Sequence, residues 1–349
     1  MRKSNGVLRS WHLVPTLAIL AACGSNNGSG GAGGFQPSQG AGGVSGTDGT
    51  DQSPGSGGAA ETGGTPRSPG SGGAASGGST GQNQDSGTDG TTGPSATESC
   101  ATLAHASCAR ISACSTFLLS VLYGDIATCE KRLAIHCQAA LDAPQTGATP
   151  AGMVECANNF AQVNCSGILT GDFGAHCPPS PGALAAGDPC GNDSQCASTF
   201  CARASDAPCG VCAPPSKAGS SCVSGSCSAG TTCPAGGSVC VVPASGQVGA
   251  PCKFQEDCDL INAVGCNTMS GSCMKLTVAQ GASCGANSML ATSYAVCPAA
   301  GVCSASLNGS CVKVASDGEA CDSQRGPSCL FPARCVSGKC APPNPASCQ

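Results

Sequence analysis

The sequence predicts a small disulfide-rich protein: a disordered Gly/Ser tether, then a small three-helix disulfide-stapled domain, then tandem cysteine-knot-like repeats of short strands and turns. Three observations carry this. Cysteine is 31 of 349 residues, a density that marks a disulfide scaffold. Aromatic residues are 3% and charged residues 10%, which disfavours both a large core and a chain kept unfolded by its charge. A Gly-x-x-Cys phrase recurs five times in the second half of the chain at near-constant spacing. A single-core enzyme of this length is not what such a composition builds.

Residues 1–22 read as a signal peptide. Arg2, Lys3 and Arg9 form a basic start, and Leu13 to Leu20 is an apolar run. That run contains Pro15 and is shorter than the ~20 residues a bilayer span needs. The motif Leu20-Ala21-Ala22-Cys23 resembles the lipobox of bacterial lipoproteins. The resemblance implies that the Cys23 thiol is diacylated, that the signal is removed before it, and that the new amine is acylated. The partner is then a membrane, held through the lipid at about 0.8 kcal/mol per buried methylene. Gly24 follows, where an Asp would imply inner-membrane retention, so the resemblance points to the outer membrane or cell surface. Losing the three basic residues takes the formal charge from −5 to −8. No basic stripe is left to follow a phosphate backbone, so nucleic acid is not an expected partner. The thirty remaining cysteines are an even set, as full pairing in an oxidising compartment requires.

Residues 23–97 read as a tether. Phe35 and Val44 are its only large apolar residues, too few to offset the entropy of ordering the chain. Ser53–Ala60 recurs as residues 68–75, and Ser45–Thr50 as 86–91, as expected where only length and solubility matter. A flexible segment of this length has an end-to-end distance of roughly 45–50 Å. Its aspartates lack the ladder of acids of a calcium loop.

Residues 98–180 read as the helical domain. Cys100, Ala104, Cys108, Ile111, Cys114, Leu118 and Val121 recur at three- and four-residue steps, predicting one helix capped by Thr97 or Ser99 and ended by Gly124. Asp125 caps a second, with Ile126, Cys129, Leu133, Cys137 and Leu141 on its face. Thr149-Pro150 starts a third, whose face of Met153, Cys156, Ala157, Phe160 and Val163 runs on to Ser166-Gly167. Cys165 and Cys177 complete eight cysteines here. Cys100/Cys108 and Cys129/Cys137 are each about two turns apart, so two bridges could join neighbouring helices like rungs.

Residues 187–349 read as five four-cysteine repeats. Each opens on a glycine three residues before a cysteine: Gly187, Gly219, Gly249, Gly281 and Gly318. The first unit holds Cys190, Cys196, Cys201 and Cys212, and the second Cys222, Cys227, Cys233 and Cys240. The third holds Cys252, Cys258, Cys266 and Cys273, and the fourth Cys284, Cys297, Cys303 and Cys311. The fifth holds Cys321, Cys329, Cys335 and Cys340. Cys209 and Cys348 are extra, free to pair with each other or with neighbours. Units of ~30 residues need such bridges, because a core alone does not suffice at that size. The pairing itself is not legible. Through Cys190, Asp193, Cys196, Cys201 and Cys212, the first unit resembles the Dickkopf-type N-terminal cysteine-rich module and related colipase-like knots. The third unit has Gln255 at the Asp position. What the resemblance implies is a shared way of stapling a short chain, without a signalling role.

Sites of chemistry are weighed next. Cys209-Gly-Val-Cys212 has the C-x-x-C form, but lies in a Gly/Pro-rich repeat without the strand–helix context of a redox motif, so structural bridges are expected. Zinc could use Cys129, His136 and Cys137, or His105 with Cys108; an oxidising compartment favours bridges over thiolates. His105, His136 and His176 are the histidines after the signal, and Asp172 near His176 has no nucleophile elbow beside it. No catalytic residue, metal or cofactor is expected. The function expected is a lipid-anchored, non-catalytic cell-envelope surface protein, a binding or adhesion module for a protein or glycan ligand. The alternative is a structural spacer or envelope-protection protein, with a protease inhibitor or thiol–disulfide oxidoreductase less favoured. A carbohydrate reader would show exposed aromatics at equivalent positions, whereas Phe200, Phe254, Tyr294 and Phe331 are scattered.

Overall fold

A computed structural model describes residues 93–348 except 204–206, 223–226, 235–236, 269, 288–290 and 323–325. The expected signal, Cys23 and the tether up to residue 92 lie outside the described residues. The rest is a helical region followed by small cysteine-rich repeats of strands and turns.

Helix α1 (Ala96–Cys114) begins inside the stretch expected as tether. Its cap is Ser95 rather than Thr97 or Ser99. Ser95 Oγ accepts from the Glu98 amide, and Glu98 Oε2 accepts from the Ser95 amide at 3.1 Å. Only Ser95 has a carboxylate three residues on, so only Ser95 can build this reciprocal box. The single helix expected to reach Gly124 is broken at Ser115, which is extended at φ −161° and ψ 104°. Ser115 Oγ accepts from the Leu118 amide at 3.2 Å and starts α2 (Thr116–Leu122). A serine hydroxyl competes for backbone donors, and here it makes a cap in place of a helix interior.

Gly124, at φ +85°, reverses the chain. Asp125 then caps α3 (Ile126–Leu141) by accepting from the Thr128 amide at 2.7 Å. Thr149 caps α4 (Pro150–Asn159), with Pro150 where a missing N–H is harmless. The face expected to run on to Ser166-Gly167 passes into a tighter turn at Phe160–Gln162, and a further short helix, α5 (Cys165–Thr170), starts at Cys165. Leu103, Ile111, Leu133, Phe160, Val163 and Ile168 form the fully buried core of the helical region. Cys100 bonds Cys137 and Cys108 bonds Cys129, so α1 and α3 run antiparallel with two rungs between them. Cys114–Cys165 and Cys156–Cys177 tie the later helical segments in.

All five repeats pair first cysteine to third and second to fourth: Cys190–Cys201 with Cys196–Cys212, Cys222–Cys233 with Cys227–Cys240, Cys252–Cys266 with Cys258–Cys273, Cys284–Cys303 with Cys297–Cys311, and Cys321–Cys335 with Cys329–Cys340. One turn recurs beside them. The five opening glycines have φ between 76° and 94°, and a Cβ on any of them would meet nothing within 4 Å. They are glycines for the left-handed backbone and not for space. In each unit the last cysteine donates its amide to the residue after that glycine, from Cys212 to Asp188 through Cys340 to Glu319, at 2.6–2.9 Å.

Strands are short. In the first unit β1 (Pro189–Cys190), β2 (Cys201–Ala202) and β3 (Gly210–Cys212) form a sheet of order β1-β3-β2. Among its described residues the second unit has isolated bridges at the matching places, Ser221 to Val239 and Thr232 to Val241. In the third, β4 (Val264–Asn267) pairs antiparallel with β5 (Ser272–Val278). The fourth adds β6 (Ser283–Cys284), β7 (Ser293–Val296), β8 (Val302–Cys303) and β9 (Gly309–Val312), with β7 running parallel to β5 across the unit boundary. The fifth is the hairpin of β10 (Arg334–Val336) and β11 (Lys339–Ala341).

The repeats fold back onto the helices. Met274, Leu276, Tyr294 and Val296 cluster with Val121 of α2. The Ala299 and Ala300 amides donate to the Ser120 and Val121 carbonyls, at 2.9 and 2.6 Å. The Val121 carbonyl is one that the last turn of a helix leaves over, while the Ser120 carbonyl also accepts from the Gly124 amide at 3.0 Å. In the first unit Gln195, fully buried, donates from Nε2 to the Pro144 carbonyl at 2.9 Å, and the Gly147 amide donates to the Ser194 carbonyl at 2.8 Å.

Candidate functional site

The thirty cysteines from Cys100 to Cys348 form fifteen bridges among themselves, and the thirty-first, Cys23, lies outside the described residues. Each repeat brings three cysteine sulfurs within 4.8 Å of one another, as a metal cage would. Every one is tied up in a bridge, so the closeness is that of two crossed cystines and supplies no thiolate for zinc. The C-x-x-C pair is divided: Cys209 bonds Cys348 and Cys212 bonds Cys196.

The zinc and triad candidates are likewise dispersed. His105 is exposed on α1 with Nδ1 2.7 Å from Glu130 Oε1. His136 is buried on α3 with its ring 5.0 Å from that of Phe331, while Cys129 and Cys137 beside it bridge to α1. Burial, with Arg203 and Arg334 nearby, pushes the His136 pKa down to about 3, so it is held neutral. Asp172 accepts from the Gly174 amide at 3.2 Å and serves the local turn.

The polar centre that the sequence reading missed is Arg132. Its guanidinium donates to both carboxylate oxygens of Asp317, at 2.8 and 3.0 Å, and to the carbonyls of Leu330 and Phe331, at 2.6 and 2.7 Å. The Arg132 side chain is 8% exposed and that of Asp317 36%. This planar fork fixes the fifth repeat to α3. A signal was present: Arg132 lies among Cys129, Leu133 and Cys137 on the buried stripe of α3, where a charge demands a partner. Arg203 is a second buried cation. It donates to the Gly191 carbonyl at 2.7 Å, and burial lowers its pKa against the pull of Asp193. Glu256, in the third repeat, is pushed up to about 7 by burial, and its Oε2 has no hydrogen-bond partner.

The aromatic residues of the repeats serve packing. Phe200 and Tyr294 are buried, Phe331 packs against His136 with the rings tilted by 48°, and Phe254 lies half-buried with Lys253 Nζ 5.1 Å from its ring centre. Among the described residues, the exposed large apolar ones of the repeats are aliphatic: Val211, Val239, Val242 and Val248. Val211 and Val239 are equivalent, each preceding the last cysteine of its unit. Among the described residues no helix is long and apolar enough to cross a membrane. No protein-family model, no curated protein and no solved structure matches the chain.

Proposed function

We propose that the chain is a lipid-anchored, non-catalytic surface protein of a cell envelope, whose helical region and repeats act as a binding or adhesion module. The observation that carries the anchoring is the odd cysteine. Fifteen bridges use every cysteine but Cys23, and Cys23 closes the Leu20-Ala21-Ala22-Cys23 motif. A free thiol in an oxidising compartment is a liability, whereas an acylated one is inert and holds the membrane. The inward use of Phe200 and Tyr294 favours a protein ligand over a glycan, since sugar readers stack their ligands on exposed rings.

A Cys23→Ser variant is expected to leave the membrane fraction while keeping its bridges, read by sedimentation and by intact mass with and without reduction. A variant that still sediments with membranes would exclude lipid anchoring. The spacer reading is favoured by the same inward aromatics. Cells displaying the full-length protein should adhere to a partner surface more than cells carrying Cys23→Ser; equal adherence, with anchoring shown, gives the spacer reading the field.

A further inference from the structure

Fourteen of the fifteen bridges lie within the helical region or within one repeat, at sequence separations of 11 to 51. Cys209–Cys348 spans 139 and joins the first repeat to the segment after the fifth. It is also held differently. In the repeats, cysteines sit opposite one another in strand ladders, as Cys201 does with Cys212, Cys266 with Cys273, Cys303 with Cys311 and Cys335 with Cys340. Each such pair joins one bridge of a repeat to the other. The residue before the first cysteine also pairs with the residue before the last: Pro189 with Val211, Ser221 with Val239, Pro251 with Ser272, Ser283 with Ser310 and Ala320 with Lys339. When one bridge opens, the ladder and the crossed second bridge therefore keep its two cysteines in place and the bond re-forms. Cys348 instead ends a turn at Pro345–Cys348 whose backbone hydrogen bond, from Ser347 to Asn344, is internal to the segment. The segment rests on the first repeat through the bridge, through Cys348 Sγ at 3.6 Å from the Pro208 carbonyl, and through Pro345. Pro345 sits so close over Gly191 that a Cβ there would come within 2.5 Å of its Cα. Cys209 is half-buried, and Ala346 and Ser347 are exposed.

We propose that Cys209–Cys348 is a redox-operated clasp, opened by a dithiol reductant ahead of the other fourteen bridges. A thiolate of the dithiol attacks the half-buried Cys209 sulfur, the bond to Cys348 breaks, and Cys348 leaves as a thiolate that takes up a proton. The second thiol of the reductant then displaces Cys209 from the mixed disulfide. The dithiol loses two electrons and two protons and becomes a disulfide, while Cys209 and Cys348 end as thiols. The freed segment lifts from Gly191, and the first and last repeats lose their covalent link while each keeps its own two bridges. Lipid anchoring plays no part in this step.

The test uses the full-length protein with free thiols blocked beforehand. It is exposed to limiting dithiothreitol, quenched with a second alkylating label, and mapped by mass spectrometry. Cys209 and Cys348 are expected to take the label together, about tenfold sooner than any other pair, with hydrogen exchange rising in 341–348 and not in the repeat ladders. A double variant, Cys209→Ser with Cys348→Ser, is expected to keep fourteen bridges and lose the early-labelled class. Earlier labelling of another partly exposed pair, such as Cys321 with Cys335, overturns the proposal. So does loss of all bridges in one step, or a segment that stays protected after its bridge is cut.

Discussion

Replacing Arg132 with Met removes the guanidinium that locks the fifth repeat to α3 but keeps an unbranched apolar stem in its place. Breaking a buried ion pair from one side costs about 3–5 kcal/mol, because the remaining charge is stranded. Here Asp317 is 36% exposed and can recover water, which brings the ion-pair part down to about 2 kcal/mol. The Leu330 and Phe331 carbonyls each lose a charge-assisted bond, worth about 1 kcal/mol apiece once water reaches them. The sum is about 3–4 kcal/mol of docking free energy, or roughly 10²–10³ in the opening equilibrium. With the bridges intact this is a local event, read by amide hydrogen exchange at Ala315 and Ala333, which are 4% and 8% exposed. Both should exchange faster by that factor, while the Cys212 amide of the first repeat should not change. In the Arg132→Met background, Asp317→Asn should then cost little. Unchanged exchange at Ala315 and Ala333, or an undiminished cost of Asp317→Asn in that background, would refute the assignment of Arg132 as the lock.

Three further outcomes follow from named groups. His136, pushed to about 3, stays neutral while the unfolded chain takes up its proton near the ordinary value of 6.5, so stability falls with pH from about 6.5 to about 3, by at most about 4–5 kcal/mol. His136→Gln should flatten denaturation curves in that window, and parallel curves would show that His136 is not held neutral. Glu256, pushed up to about 7, destabilises the fold once ionised, so Glu256→Gln should add about 1–3 kcal/mol at pH 8 and nothing at pH 4. Melts at the two pH values check it. Ala300 holds φ +57° to reach α2, and Ala300→Gly should stabilise by about 1 kcal/mol by removing that strain; a lower Tm would contradict it.

What was legible in the sequence follows how locally each feature is determined. Asp125 and Thr149-Pro150 announce helix starts because a cap is an interaction over three residues. The five opening glycines announce one turn because a left-handed backbone selects its residue on the spot. The two rungs between α1 and α3 were open to view because helical periodicity places Cys100 and Cys108 on one face and Cys129 and Cys137 on another. Ser115 was not legible as a break: its hydroxyl suits a cap, but nothing in the apolar spacing around it stops. The first-to-third pairing of the repeats and Cys209–Cys348 depend on the path of the chain, to which spacing gives no access. Arg132 marked itself as needing a partner, but Asp317 lies 185 residues away, and only the docked fold names it. Cys23 was read from its motif and lies outside the described residues.

The crossed bridges also set how the repeats bear a mechanical load. If the first repeat were pulled from Cys190 to Cys212 with every hydrogen bond lost, an unbridged chain would stretch to about 75 Å. Through the Cys196–Cys212 bridge, the tensioned path is the six residues from Cys190 to Cys196 and one cystine, about 25 Å in all. The other four repeats carry the same crossing, so tension reaches covalent bonds after a short travel and little hidden length can pay out. The repeats are therefore nearly inextensible: under shear they pass force on instead of absorbing it, and compliance has to come from elsewhere in the chain.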